Sequence, residues 1–122
     1  ESPEFCKKFK GYKIIKALRV KGKIELKNLL HYKTFSYLFD TFVKSKVGGT
    51  GKKFNWALVR HFSSFRKPIF LSGGLNVKNV TEAIKQVQPD WLDVSSSVEA
   101  KPGKKDHKKV KEFIETAKKT AF

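Results

Sequence analysis

The 122-residue sequence contains no methionine and a single cysteine, Cys6. One cysteine excludes an internal disulfide and any multi-cysteine metal site. Arginine is nearly absent as well: of 27 Lys and Arg residues only Arg19, Arg60 and Arg66 are arginine. No apolar run approaches the ~20 residues that a membrane-crossing helix needs. No charged, apolar and small-residue succession typical of a secretory signal opens the chain at Glu1. A sequence without an initiating methionine is expected to be a processed or truncated piece. These features together suit a reducing, cytoplasmic setting.

What is abundant is lysine. The formal charge is +16, while hydrophobic residues make up 39% and aromatics 13% of the chain. That composition belongs to a globular protein rather than to a disordered basic tail. Such a charge raises the question of nucleic acid, because polyphosphates are bound by cations that displace counterions. Three observations argue against that as the main role. The basic residues are spread along the whole chain, with only a modest cluster from Lys101 to Lys111. Arginine, the better residue for bidentate contacts to phosphate and guanine, is scarce. The aromatics lie inside apolar stretches such as Tyr37-Leu38-Phe39, as core residues do.

The hydrophobic period switches repeatedly along the chain. Ser2, Pro3 and Glu4 predict a short capped helix running to about Phe9. Apolar runs at Tyr12–Val20, Ser36–Thr41, Pro68–Ser72 and Trp91–Ser95 predict buried strands. Helical spacing of apolar residues marks Glu25–Tyr32 and Phe54–Phe62. It marks a third stretch through Val80, Ala83, Ile84 and Val87, capped by Asn76 or Asn79. Val110, Phe113, Ile114 and Ala117 form the stripe of a last helix capped by Asp106. The segment Ser96–Lys105 reads as a loop. A helix followed by four strand–helix repeats predicts an α/β fold of parallel strands buried on both faces. Each unit spans roughly 25–30 residues. Two architectures accept this pattern: an open doubly wound sheet, or half of a (β/α)8 barrel, which complete needs about 200–250 residues. No linker divides residues 1–122, which are expected to form a single partial domain.

In parallel α/β folds, ligands bind at the carboxyl ends of the strands. Asp40 ends an apolar run, where a carboxylate can reach a ligand or cap the following loop. Gly48, Gly49, Thr50, Gly51 and Lys52 form a glycine loop. It lacks the spacing of a nucleotide P-loop, and Lys53 stands where serine or threonine is required. A lid or a surface turn remains open for it. Ser72-Gly73-Gly74-Leu75-Asn76 joins a strand to a helix through two glycines that let amides approach an anion. Asp93, Ser95, Ser96 and Ser97 mark a comparable junction after the next strand. Two such loops after consecutive strands describe the place where (β/α)8 barrels frequently hold a phosphate. Cys6 lies in the opening helix, where a packing role is expected. His31, His61 and His107 share no spacing that suggests a metal ligand or base, and no cofactor is implied.

These motifs, in this order, resemble the phosphoribosylanthranilate isomerase family of tryptophan biosynthesis. The likeness runs from Gly48–Lys52 with Phe54 and Trp56, through Leu71–Asn76 with Asn79-Val80. It continues into Asp93–Ser96 with Val98-Glu99, and Pro102–Asp106. Glu1–Val20 is similar to the segment just beyond the family's fourth strand. The resemblance implies a (β/α)8 barrel of which this chain is the C-terminal half, strands five to eight, with the N-terminal half-barrel as its missing partner. It implies a cofactor-free Amadori rearrangement of a phosphorylated small molecule, N-(5-phosphoribosyl)anthranilate, to 1-(2-carboxyphenylamino)-1-deoxyribulose 5-phosphate. It assigns Asp40 as the general acid that opens the ribose ring, a task that requires a protonated fraction of the carboxyl. It places the substrate phosphate on Gly73, Gly74, Ser96 and Ser97, with Asp93 nearby. The family's general base, a cysteine ending the first strand, falls outside this sequence, and Cys6 does not match it. The arginine used for the anthranilate carboxylate also belongs to the other half. Ser97 stands where glycine is usual, and Asn55 replaces a usual aspartate. Two other readings stay open: a related phosphate-binding barrel such as indole-glycerol-phosphate synthase, and a non-catalytic remnant that binds anions or nucleic acid.

Overall fold

The computed structural model describes residues 1–21, 24–41, 56–60, 62 and 67–121. The glycine loop Gly48–Lys52 therefore lies outside the described residues.

The chain opens with α1, Pro3–Lys7, where Ser2 Oγ accepts a hydrogen bond from the Phe5 amide at 3.1 Å. This is the cap expected from Ser2 and Pro3, although the helix ends before Phe9. Then follow β1 (Ile15–Arg19), α2 (Leu26–Leu30), β2 (Ser36–Asp40) and α3 (Ala57–Arg60). Next come β3 (Ile69–Ser72), α4 (Val80–Val87) and β4 (Trp91–Leu92). A 3-10 turn at Ser96–Val98, the short strands β5 (Glu99–Lys101) and β6 (Lys104–Lys105), and α5 (His107–Ala121) complete the order.

The four main strands pair in parallel in chain order, β1-β2-β3-β4. Their register aligns Arg19 with Asp40 and Asp40 with Ser72, so β1, β2 and β3 finish level with one another. Strand alternation sends Tyr37, Phe39, Ile69 and Leu71 to one face, and all four are at most 2% exposed. They form one core with Leu29 of α2, Val59 of α3, Val80, Ala83 and Val87 of α4, and Phe113 of α5. Phe39 stacks on Phe62 with ring centroids 5.2 Å apart. The apolar stripes that predicted the helices thus cover this one face.

The other face differs from the expectation of burial on both sides. Ile15 and Ala17 are exposed, Leu38 and Phe70 are half-buried, and Trp91 is 58% exposed while stacking on Phe70. The described helices that form the core, α2 to α5, all pack on the opposite face, which distinguishes the fold from a doubly wound sheet. This one-sided layering is that of a barrel wall, with helices outside and an inner face.

Two further differences concern the last strand and the segment after it. The apolar run Trp91–Ser95 keeps only Trp91 and Leu92 in the sheet. Its neighbour β3 ends at Ser72, and Gly73, at φ 94°, turns the chain away. The Asp93 amide donates to the Leu71 carbonyl at 2.9 Å, beyond which the ladder has no partner to extend along. The expected loop Ser96–Lys105 folds instead as the 3-10 turn and an antiparallel hairpin. Pro102 and Gly103 make its bend, with Gly103 at the left-handed φ of 78° that few residues besides glycine adopt. Asp106 Oδ1 accepts from the Lys108 and Lys109 amides, capping α5 as its sequence predicts.

Candidate functional site

The ends of β2, β3 and β4 bring three junctions to one rim of the sheet. At β2, Asp40 is half-buried, and its Oδ2 lies 3.9 Å from Arg19 Nε at the end of β1. Alternation puts Asp40 on the inner face, alongside Leu38 and Ser72, rather than among the helices. Its neighbour Thr41 points the opposite way, is 1% exposed, and its hydroxyl reaches the Ser72 and Gly73 carbonyl oxygens at 2.7 and 3.1 Å.

At β3 the strand breaks into the turn Ser72-Gly73-Gly74, with both glycines at positive φ, 94° and 64°. Asn76 and Asn79 then organise the entry to α4. Asn79 Oδ1 accepts from the Asn76 amide at 2.8 Å, and both side-chain amides donate to the Gly74 carbonyl. The two asparagines suggested by sequence as alternative caps bond within the turn instead, and neither side chain makes a cap hydrogen bond to α4. Asn79 occupies the cap position while Asn76 accepts from the Lys78 amide.

At β4, Asp93 faces Ser72, whose hydroxyl donates to Asp93 Oδ2 at 2.8 Å. Ser95, Ser96 and Ser97 lead into the 3-10 turn, and the Ser97 hydroxyl donates to the Leu75 carbonyl. Where glycine is usual in the resembled family, this hydroxyl ties one loop to the other. Lys105, from the hairpin, donates to the Ser95 carbonyl at 3.1 Å and to Glu99 Oε1 at 2.8 Å.

The two loops enclose an open cleft of about 280 Å³ bounded by Ser72–Leu75 on one side and Asp93–Ser97 on the other. Gly73, Gly74, Asp93, Ser95, Ser96 and Ser97, named from sequence, thus come together around one space, with Asp40 on the adjoining strand end. Its lining combines glycine backbone and the Ser72, Ser95, Ser96 and Ser97 hydroxyls with Leu75, Val94 and the carboxylate of Asp93; the glycine amides and hydroxyls are the groups that could hold a compact anion. Thr41, Ser72 and Lys105 were not singled out as site residues. A hydroxyl residue directly after a buried strand was the only signal for Thr41, and Lys105 owes its place to a hairpin read as loop.

Two groups whose pKa is moved by burial lie at the other rim. Tyr37, whose hydroxyl donates to the Leu29 carbonyl at 2.8 Å, has its pKa raised by burial. Lys67, 5.0 Å above the Tyr37 ring and bonded to the Tyr32 carbonyl, has its pKa lowered by the same cause. They fasten α2 to the beginnings of the strands, a structural task. Cys6 also sits away from Asp40, in a cleft beside the start of β1. Among the described residues no group of three or more His, Cys, Asp and Glu side chains could hold a metal ion, and no helix is long and apolar enough to cross a membrane.

The family model for N-(5'-phosphoribosyl)anthranilate (PRA) isomerase matches residues 1–116. The chain belongs to that family. An N-(5'-phosphoribosyl)anthranilate isomerase of Thermoanaerobacter sp. (strain X514) is 46% identical over 115 residues, covering 94% of this chain and 56% of the relative. The crystal structure of the PRA isomerase of Thermotoga maritima superposes with a TM-score of 0.82 at 42% identity, covering 98% of this chain and 58% of that one. A PRA isomerase crystallised with reduced 1-(o-carboxyphenylamino)-1-deoxyribulose 5-phosphate gives a TM-score of 0.79 at 39% identity, covering 98% and 56%. The chain spans somewhat more than half the length of the PRA isomerases it matches.

Proposed function

We propose that these residues are the C-terminal half, strands five to eight, of a PRA isomerase barrel, acting in tryptophan biosynthesis in the cytoplasm. The reaction turns an aminoaldose into an aminoketose, moving a hydrogen from the sugar C2 to C1. It begins when an acid protonates the ring oxygen and the ring C1–O bond breaks. Asp40 is that acid: it ends a buried strand, faces the inner side of the sheet and stands one strand from the small-residue cleft. The cleft holds the phosphate on amides around Gly73, Gly74, Ser96 and Ser97, placing the sugar ring over the strand ends. One observation carries this reading above the others. Asp40 and the cleft lie on the same rim, joined through Thr41 and Ser72.

The second half of the chemistry needs a base for the C2 proton. By the family resemblance this is a cysteine on the half-barrel absent here, and Cys6 lies at the wrong rim to replace it. The missing half would also complete the wall. An apolar groove of about 610 Å³ opens between β4 and α5 beside the exposed Trp91, and a second cleft of about 460 Å³ lies along β1 beside Phe5 and Phe9. The outer edges of β1 and β4, unpaired among the described residues, then gain partners, as closed barrels require.

A steady-state assay tests this. Residues 1–122 alone are expected to show no turnover of N-(5'-phosphoribosyl)anthranilate, and co-expression with the N-terminal half of a relative is expected to restore it. In that assembly Asp40→Asn should lower kcat by about 10²–10⁴-fold with little change in KM. Near-normal turnover by the chain alone, or by the Asp40→Asn assembly, would refute the assignment.

A further inference from the structure

We infer that Thr41 is a positioning residue for the anion cleft: its amide and hydroxyl together turn the two glycine amides of the β3 turn toward the ligand, the hydroxyl fixing that of Gly74. This rests on the phosphate reading above and adds a residue to it. Thr41 is almost fully buried and does not line the cleft. Its amide and its hydroxyl both approach the Ser72 carbonyl oxygen, at 2.9 and 2.7 Å. The same hydroxyl shares its proton with the Gly73 carbonyl oxygen at 3.1 Å. Two consecutive carbonyls are therefore pinned toward one side chain. Among the described residues no peptide bond is cis, and in a trans peptide the N–H points opposite to the C=O. Holding the Ser72 and Gly73 carbonyls on Thr41 thus directs the Gly73 and Gly74 N–H groups away from it. The positive φ angles of both glycines permit this orientation; the Thr41 amide already holds the Ser72 carbonyl, so the hydroxyl's own share is the Gly73 carbonyl and with it the Gly74 N–H. Preorganised donors bind an anion more tightly than donors that must first be oriented.

The experiment is a titration of the ¹⁵N-labelled 122-residue chain with inorganic phosphate, followed amide by amide. In the parent chain the Gly73 and Gly74 amides should shift together with those of Ser96 and Ser97. Thr41→Val keeps the shape and removes the hydroxyl; binding should weaken about tenfold. The Gly74 shift should shrink most while those at Ser96 and Ser97 persist, a pattern that general destabilisation would not produce. Thr41→Ser should restore parental affinity. Unchanged affinity in Thr41→Val, or equal loss in Thr41→Ser, overturns the role of the hydroxyl. If Thr41→Val does not fold, residual dipolar couplings of the parent chain decide: Gly73 and Gly74 N–H vectors directed toward Thr41 overturn the inference. Absence of any phosphate-induced shift in the parent chain overturns the phosphate reading itself.

Discussion

The most direct probe of the cleft is Gly74→Asp. Gly74 sits at φ 64°, so any side chain there adopts a left-handed backbone at a cost of about 1–2 kcal/mol. That strain acts on stability. The effect on anion binding is larger and separable. A space of about 280 Å³ has the volume of a sphere about 4 Å in radius, so a carboxylate on its wall lies about 4 Å from the centre of a bound phosphate. At that separation two like unit charges repel by about 1 kcal/mol in bulk water and about 4 kcal/mol at an effective dielectric near 20. The cleft is open, so the lower figure applies, and a dianionic phosphate doubles it to about 2 kcal/mol. Affinity for inorganic phosphate should therefore fall at least about 30-fold. The loss should shrink only partly in salt, since about 4 Å is shorter than the Debye length of about 8 Å at physiological ionic strength. Gly103→Asp is the control. Gly103 has a similar φ of 78°, a Cβ there meets nothing within 4 Å, and it lies in the hairpin bend outside the cleft. Calorimetric titration of both variants reads the difference. A Gly74→Asp chain that binds within twofold of the parent, or an equal loss in Gly103→Asp, sinks the electrostatic account.

Two further outcomes concern stability. The Lys105 ammonium bonded to Glu99 is the main reason that the Glu99 carboxyl sits below its ordinary pKa of 4.5. A depressed acid contributes stability that is complete above the ordinary value and disappears as pH falls through the lowered one. Urea midpoints should thus decline below about pH 4.5, and Glu99→Gln should flatten part of that decline; an identical pH profile in the variant counts against the pair. Phe39→Ala, which empties a fully buried site against Phe62, should cost about 3–5 kcal/mol, whereas the exposed Leu30→Ala should stay within about 0.5 kcal/mol; similar losses from both would mean that the core is misplaced.

Much of this was legible from local chemistry. Periodicity located the strands and helices because each helix buries one stripe against one sheet face, as Val80, Ala83 and Val87 do. The caps at Ser2 and Asp106 were readable because a side-chain oxygen three residues from an amide needs no distant partner. Whatever depended on distant chain was not readable. Leu38, Phe70 and Trp91 are as apolar as a two-sided core would make them, and nothing in their own stretches says that one face stays open. The early end of β4 is decided by where β3 turns, some twenty residues earlier in sequence. The site divided in the same way. Gly73, Gly74 and Ser95–Ser97 carry their chemistry in their composition. Thr41 matters through two carbonyls thirty-one and thirty-two residues away, a relation that only the parallel register creates.

Because, among the described residues, each main strand pairs with its predecessor and successor along the chain, the ladder can be laid down in the order of synthesis. Each new strand–helix unit finds its template already waiting, and no earlier segment must be reopened to admit it. Both borders of the finished ribbon offer the same parallel template, so more units of the same kind could be appended before the first or after the last. Growth of that sort would leave the three registers already made, and the cleft between the last two junctions, undisturbed.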